Sequence, residues 1–220
     1  RRIQVEPHLS VTGATSHEWI PIRPKTDAAF LYAMAHVLLH EHRLEELDWA
    51  FLKQRTAAPY LVAPNGYYLR DPASIKPLVW DLAAGRAVAF DSPGADPALT
   101  GEYTAGGIER GADEERWEHR AASVRPAHQA LVRHLAPCTP EWAAALCDVS
   151  AQTIRRIAND FLREACVGAT AEVSGRSLPL RPVAILLGKA VNNGWGGYEC
   201  VWAQTVLQVL VGALEVPGGL

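Results

Sequence analysis

The chain has 220 residues, of which 49% are hydrophobic, and it carries a formal net charge of −3. This apolar content is enough for one good core with a subsidiary lobe, and it excludes an intrinsically disordered chain. The slightly acidic charge argues against binding to nucleic acid or to an anionic membrane, and the longest apolar run falls well short of the roughly 18 residues that span a bilayer. We therefore expect a soluble protein with no direct membrane insertion.

The first predicted elements are two short strands and a helix. Residues 2–10 have the pattern of a buried strand that ends in a polar loop, and residues 19–22 form a second apolar run that a proline closes. Thr26 or Asp27 can cap the helix that follows, which the apolar spacing predicts over residues 28–42. A carboxylate and free backbone N–H groups then lie together at a strand-to-helix turn, which is where α/β domains bind nucleotides.

A second amphipathic helix is predicted over residues 44–56. Two histidines on the first helix, His36 and His40, have the i,i+4 spacing of a helical metal pair. No glutamate accompanies them in an HExxH pattern, so solvated or locally bonded histidines are the favoured interpretation.

Residues 58–125 differ in composition from the helical segments before them, because a proline or glycine occurs every few residues. The pattern predicts an irregular lobe of small hairpins. Its strand-like runs are residues 60–62, 67–69, 78–80 and 87–90. The charged residues 109–120 are predicted to be a solvated helix face or loop. Three carboxylates in that run, Asp113, Glu114 and Glu115, lack the apolar walls that tune catalytic acids.

Helical order is predicted to return at Pro126, with Thr139 and Ser150 as the caps of two later helices. Residues 182–187 are a continuous apolar run, typical of a strand buried on both faces of a parallel sheet. A glycine-rich loop at residues 188–197 follows, and then a helix from about Tyr198 to Leu214. Strand, glycine-rich loop and helix together are an arrangement that suits phosphate.

The four cysteines do not have the spacing of zinc or iron–sulfur ligands, so buried free thiols are expected. Arg1 and Arg2 are not followed by the apolar region of a twin-arginine export signal. The residues indicate no catalytic group and no metal ligand in this chain.

The segments described at the two ends resemble the molybdopterin oxidoreductases of the dimethyl sulfoxide reductase family. Residues 6–8 stand for a strand end of the Asp-Pro-Arg type, and residues 24–28 stand for a Pro-Gly-Thr-Asp-Ala turn in which Lys25 replaces the usual glycine. Residues 187–219, which end in Pro-Gly-Gly, resemble the family's second signature. The order of motifs within residues 58–125 is similar to a subset that includes polysulfide, tetrathionate and phenylacetyl-CoA oxidoreductases.

The resemblance implies an α/β fold with a parallel Rossmann-like sheet flanked by helices. Residues 1–57 and 126–220 would form the dinucleotide-binding domain, with residues 58–125 as an irregular insertion. This portion would hold one molybdopterin guanine dinucleotide of a molybdenum or tungsten cofactor (Mo-bis-MGD or W-bis-MGD). The residues implied to line that cofactor are Glu6, Pro7, His8, Leu9, Lys25, Thr26, Asp27, Leu187, Gly188 and Asn192.

The parent enzyme implied by the resemblance transfers electrons or oxygen atoms at the metal, and its 4Fe-4S cluster and metal ligand would precede this chain. We therefore expect the chain to be a fragment. Its expected partners are the remainder of the catalytic subunit, a membrane anchor and an iron–sulfur electron-transfer subunit, and the compartment is not indicated. One alternative is a cofactor-free relative that serves as a scaffold in a respiratory complex. Another is an NAD or FAD domain, but residues 6–9 lack its glycine fingerprint.

Overall fold

The computed structural model describes residues 1–110 and 116–220. In chain order, the helices and strands are β1 (Ile3–Val5), α1 (Val11–Ala14), β2 (Glu18–Ile20), α2 (Asp27–His36), α3 (Trp49–Arg55), β3 (Leu61–Val62), β4 (Leu78–Asp81), β5 (Arg86–Ala89), β6 (Tyr103–Arg110), β7 (Trp117–Pro126), α4 (Ala127–Leu135), α5 (Pro140–Cys147), α6 (Ala151–Glu164), β8 (Thr170–Val173), β9 (Arg176–Pro179), α7 (Lys189–Asn192) and α8 (Gly197–Leu210). A π-helical turn (Val37–Glu41) and a 3-10 turn (Leu44–Glu46) lie between α2 and α3.

The chain divides into two compact units. The first contains Arg1–Trp49 and Leu135–Leu220, and the second contains Ala50–His134. The predicted insertion, residues 58–125, falls within the second unit. Its role as an insertion into a dinucleotide-binding domain stays a prediction.

The first unit contains a parallel pair of strands in which β1 aligns with β2, from Ile3 opposite Glu18 to Val5 opposite Ile20. Among the described residues, this is the extent of the parallel pairing, so the larger Rossmann-like sheet is not confirmed. Residues 182–187 form no regular element and pair with no described strand, and their exposure alternates along the segment, with Leu186 exposed at 78%. The expected burial on both faces is corrected, because no described strand lies alongside this segment to cover its backbone.

The core of the first unit is built around α2, which packs against α5, α6 and α8. The side chains of α2 are small or apolar on almost every face, and Ala33, Ala35 and Met34 are nearly inaccessible to solvent. A helix that is apolar all round is expected to be buried. The predicted caps of the next helices are confirmed, because Thr139 accepts a hydrogen bond from the Trp142 N–H and Ser150 accepts one from the Thr153 N–H.

Three predicted helices have different bounds in the structure. The first changes from α to π geometry after His36. The second is interrupted at Leu47 and Asp48, where the Asp48 N–H donates to the Leu210 carbonyl and its carboxylate binds Arg181. These tertiary contacts replace intrahelical ones. The last helix ends at Leu210 rather than Leu214, because Gly212 takes a φ of 69°.

The second unit contains two small antiparallel sheets, one with the order β3-β7-β6 and the other formed by β4 and β5. Its core consists of buried apolar residues, namely Leu61, Ala63, Leu69, Leu78, Ala105 and Val124. Three of the four predicted strand-like runs overlap β3, β4 and β5, whereas Tyr68 makes only an isolated bridge to Val62.

The prediction of a helix face or loop at residues 109–120 is wrong for the part that the structure describes. β6 continues through Arg110 and pairs there with Trp117 at the start of β7. Glu109 is fully buried, and its carboxylate lies 2.5 Å from Nε of Arg120 on the neighbouring strand. Residues 113–115, with their three carboxylates, lie outside the described residues.

Candidate functional site

The end of β1 forms a loop organised by the Glu6 carboxylate. Its Oε1 accepts hydrogen bonds from the backbone N–H of Ser10 at 2.8 Å and from the Ser10 hydroxyl at 2.7 Å. These bonds hold the pKa of Glu6 below its usual value. The Trp19 indole donates to the Glu6 carbonyl at 3.2 Å, which ties the same loop to β2. Glu6 therefore shapes the loop.

The three residues that follow Glu6 in the predicted site are all exposed to solvent. They are Pro7, His8 and Leu9, and Leu9 is 53% exposed although its side chain is apolar. Ser10 ends the loop by capping α1, because its hydroxyl accepts the Gly13 N–H. The loop thus exposes a proline, an imidazole and an apolar side chain, and the hydrogen bonds of Glu6, Ser10 and Trp19 hold its backbone in place.

The second predicted site segment is residues 24–27, which we call the early turn. Lys25 has a φ of 67°, in the left-handed region that favours glycine. Thr26 occupies the position before α2, but its hydroxyl donates back to the Arg23 carbonyl at 2.7 Å and makes no cap bond. Asp27 is the first residue of α2 and is half-buried. Over residues 1–110 and 116–220, its carboxylate has no hydrogen-bond or ion-pair partner, so the predicted capping by either side chain is wrong.

The third predicted segment is the glycine-rich loop, residues 188–197. Leu187 is half-buried just before it, Gly188 is exposed and precedes the single turn α7, and Asn192 is exposed at the end of that turn. Gly197 packs against the backbone of Asn192 so closely that an added Cβ would lie 2.8 Å from the Asn192 carbonyl carbon. The fold of this loop therefore depends on a glycine at its end.

The early turn and the glycine-rich loop meet in the fold. Nζ of Lys25 donates to the Ala190 carbonyl at 3.3 Å, and an added Cβ at Gly194 would collide with the same Nζ. The helices behind these segments also pack together, with the Tyr32 and Trp202 rings 5.8 Å apart in a T-shaped contact. Residues 6–9 take no part in this contact. Their loop is held by hydrogen bonds between Glu6 and Ser10 and between the Trp19 indole and the Glu6 carbonyl.

Cys200 lies beneath the meeting point of the two segments. It is a buried free thiol on α8, and the Ala28 backbone N–H of α2 points to its sulfur. Burial raises the pKa of this thiol, and the nearby Asp27 carboxylate raises it further. The thiol is therefore a neutral packing group at neutral pH.

Sequence reasoning missed an aromatic surface beside this site. Trp195 is 99% exposed and Tyr198 is 80% exposed, and both border an open depression lined by residues 193–199. Large exposed aromatic rings are unusual on a free surface and indicate a contact surface. The signal available in the sequence was a tryptophan between glycines, where no helix or strand can bury it.

The two histidines of the predicted pair make local contacts. His36 is buried and its Nδ1 lies 2.9 Å from the Leu135 carbonyl, while its ring stacks on His40 at 4.5 Å. No group of three metal-binding side chains occurs in the described part of the chain. The expectation of buried thiols holds for Cys147 and Cys200 but is wrong for Cys166, which is exposed. No helix among the described residues is both long and apolar enough to cross a membrane.

Comparison with known proteins gives three informative relatives. The chain is 28% identical to a sulfite dehydrogenase subunit of Allochromatium vinosum over 248 aligned residues, which cover 100% of this chain and 23% of that protein. It is 27% identical to the alpha chain of perchlorate reductase from Dechloromonas aromatica, covering 99% of this chain and 27% of that protein. It is 30% identical to a putative dimethyl sulfoxide reductase catalytic subunit of Halobacterium salinarum, covering 64% of this chain and 18% of that protein.

The relatives that this chain resembles are molybdopterin oxidoreductases, as expected from its resemblance to the dimethyl sulfoxide reductase family. These relatives are named as oxidoreductases, and the alignments with the first two run across the whole of this chain. The chain spans about a quarter of the length of those two relatives. No family model matches it. The fold of this chain is a mixed α/β arrangement of several small sheets and packed helices.

Proposed function

We propose that this chain is the portion of a molybdenum or tungsten oxidoreductase catalytic subunit that binds one guanine dinucleotide of a bis-molybdopterin cofactor. When bound, that group supplies the electron-transfer or oxygen-atom-transfer chemistry of the parent enzyme. The chain's own residues bind and orient it. The proposed partners are the remainder of the catalytic subunit, a membrane anchor and an iron–sulfur electron-transfer subunit. A 4Fe-4S cluster is proposed in the part of the catalytic subunit that precedes this chain.

The observation that carries this proposal is the contact between the early turn and the glycine-rich loop. Nζ of Lys25 lies 3.3 Å from the Ala190 carbonyl oxygen, although the two residues are 165 positions apart in the chain. A dinucleotide is long and has a charged middle, so two separated segments must converge to hold it. The two segments that resemble the family's nucleotide-binding motifs are the ones that converge.

Asp27 suits recognition of guanine. The base presents two N–H donors on one edge, and a carboxylate accepts two such hydrogen bonds side by side. The Asp27 carboxylate is half-buried, neither caps α2 nor binds another described residue, and so has both oxygens free for a ligand. Thr26, Leu187, Gly188 and Asn192 are then the flanking contacts in this proposal.

Residues 6–9 would line the far side of the ligand. The Glu6 carboxylate is already used by Ser10, so we assign it the task of holding the loop in shape. Pro7, His8 and Leu9 are exposed side chains that a bound heterocycle can cover. Burial of such a ring against apolar and aromatic groups is the usual source of affinity for small ligands.

We also propose that residues 182–187 supply a further strand of a larger parallel sheet in the full-length protein. Gln204 of α8 holds the segment by donating to the Ile185 carbonyl. Its exposed and half-buried residues alternate as in a strand with one open face. Slow amide exchange of this segment in the full-length protein is the expected result, whereas fast exchange would contradict the proposal.

The test of function uses the full-length protein that contains this chain. We expect about one molybdenum or tungsten atom per polypeptide, together with guanine nucleotide released on denaturation, because the cofactor is tightly held and carries the chemistry. Asp27→Asn should lower guanine nucleotide retention by about 10-fold or more, because one carboxylate acceptor is replaced by an N–H₂ donor that faces other donors.

The matched control is Asp91→Asn, which removes a carboxylate that pairs with Lys76 in the second unit. It should leave the metal and nucleotide content at the wild-type level. A full-length protein that contains neither metal nor guanine nucleotide would overturn the proposal and support the cofactor-free scaffold.

A further inference from the structure

Lys25 adopts a conformation and makes a contact that together place a positive charge between the two site segments. Its backbone has a φ of 67°, and its side chain reaches the glycine-rich loop. Its side chain is exposed, and its Nζ donates to the Ala190 carbonyl at 3.3 Å. Such a distance is at the long end for a hydrogen bond to a neutral acceptor.

Gly194 leaves the space that the ammonium group occupies. An added Cβ at residue 194 would collide with Nζ of Lys25 and would lie 3.3 Å from its Cε. The end of the lysine side chain thus fills the room that a larger residue would take. The absence of a side chain at Gly194 therefore leaves room for the end of the Lys25 side chain.

The ammonium group retains binding capacity in this position. A lysine has three N–H donors, and the described residues account for one of them through the Ala190 carbonyl. A carbonyl neutralises no charge, so the full positive charge remains to be paired. The Asp27 carboxylate on the same turn is proposed to face a guanine base, so the positively charged lysine is the group on this turn that suits the phosphates.

We propose that Lys25 binds the diphosphate of the dinucleotide and fastens the glycine-rich loop over it. This inference rests on the function proposed above and adds to it the group that neutralises the ligand's charge. The loop's backbone N–H groups alone are neutral dipoles, whereas the ammonium supplies a full charge at the junction of the two segments. Lys25 therefore serves as a binding residue and as the link between the early turn and the loop.

The first measurement is amide hydrogen exchange of residues 188–197 in the full-length protein without added nucleotide. Lys25→Met keeps much of the side-chain stem but removes the N–H donors. It should raise the exchange rate of the loop by about 3-fold or more, since one tether of the loop is lost. Lys76→Met makes the same change of charge and side chain at an exposed position of the second unit and should leave the loop's exchange unchanged.

The second measurement is binding of GDP and of guanosine by cofactor-free full-length protein. Lys25→Met should weaken GDP binding by about 10-fold, the effect of losing one charge-assisted hydrogen bond, while guanosine binding changes less than about 2-fold because guanosine has no phosphate. Lys25→Arg should stay within about 3-fold of wild type for GDP, since it keeps the charge.

The outcomes separate this inference from the proposed function. Wild-type protein that binds GDP and guanosine, with Lys25→Met equal to wild type for both, would overturn the role of Lys25 and leave the nucleotide site standing. Equal losses for GDP and guanosine would also overturn the diphosphate contact, because the lysine would then act only on the shape of the site. Wild-type protein that binds neither compound would overturn the nucleotide site itself.

Discussion

Gly197 is a position in the glycine-rich loop where the backbone leaves no room for a side chain. The backbone of Asn192 lies so close to it that a Cβ would be 2.8 Å from the carbonyl carbon and nearer still to the oxygen. Gly188, at the other end of the loop, has nothing within 4 Å of the position that a Cβ would take, and its φ of −70° suits any residue. Both glycines look alike in the sequence, but only one is required by the backbone.

Gly197→Ala is therefore expected to destabilise the protein by roughly 1–3 kcal/mol, because the loop must shift to relieve the overlap. Gly188→Ala is the matched control and should change the free energy of unfolding by less than about 0.5 kcal/mol. Urea unfolding of the full-length protein measures both. Equal stabilities of the two variants would contradict the close approach at residue 197.

The capping residues show what sequence reasoning can do at this scale. Thr139 and Ser150 cap their helices as predicted, because each lies just before a helix and its hydroxyl needs only a local N–H. Thr26 has the same chemistry, yet its hydroxyl donates to the Arg23 carbonyl, since the left-handed conformation of Lys25 redirects the turn. A local pattern fails where a neighbour takes a backbone conformation that the pattern does not encode.

Among the elements, a buried ion pair joins Asp48, which follows the 3-10 turn, to Arg181, which follows β9. Arg181 is almost fully buried, and its Nη2 lies 2.6 Å from Asp48 Oδ2. Its Nε donates to the Val211 carbonyl, and its Nη1 donates to the Ala169 and Leu180 carbonyls. The guanidinium therefore connects four chain segments of the first unit, including the segment that leads to residues 182–187.

Arg181→Met should destabilise the first unit by about 3 kcal/mol or more, because it removes a buried cation that pairs with Asp48 and donates to three backbone carbonyls. The double variant Arg181→Met with Asp48→Leu should cost less than the sum of the two single variants, since each single variant breaks the same ion pair. Chemical unfolding of the wild type and the three variants gives the coupling energy. Simple additivity would show that the pair contributes no specific interaction.

Element boundaries were predicted well where they depend on local signals and poorly where they depend on packing. The predicted strands at residues 78–80 and 87–90 lie almost entirely within β4 and β5, which form a hairpin with a short turn. The charged residues 109–120 gave no strand signal, because charges are typical of solvated segments. The strands β6 and β7 form there because each supplies the other's backbone partners.

At the scale of the molecule, the pH dependence of stability is expected to reflect a histidine that links distant parts of the first unit. His42 Nδ1 lies 2.9 Å from Glu46, and its Nε2 lies 2.8 Å from Asn159 on α6. Burial alone would lower the pKa of His42, but the hydrogen bonds to Asn159 and Glu46 outweigh it and raise the pKa above 6.5. The same contact lowers the pKa of Glu46 to about 2.

The raised pKa of His42 and the lowered pKa of Glu46 determine how the stability of the folded state changes with pH. The contribution of His42 is fully present below its unfolded pKa of about 6.5 and is lost as the pH rises through the higher folded value. The contribution of Glu46 is present above its unfolded pKa and is lost as the pH falls toward about 2. The pair therefore stabilises the folded state most between about pH 4.5 and 6.5.

His42→Gln should flatten the decline of unfolding free energy between about pH 6 and pH 8, because it removes the group that titrates there. His119→Gln, on the exposed part of β7, is the matched control and should keep the wild-type slope. Urea unfolding at a series of pH values measures both slopes. A His42→Gln profile that parallels the wild type would show that this histidine is not linked to folding.

The sequence by itself determined the later amphipathic helices and two of the helix caps, and it indicated the glycine-rich loop. These features depend on residues within one or two turns of each other, and a chain carries that information locally. The tertiary structure alone decided that the early turn meets the glycine-rich loop, that Lys25 takes a left-handed conformation, and that Asp27 is left without a partner in the part that the structure describes. Such features depend on the path of the chain over 165 residues, which no local pattern specifies.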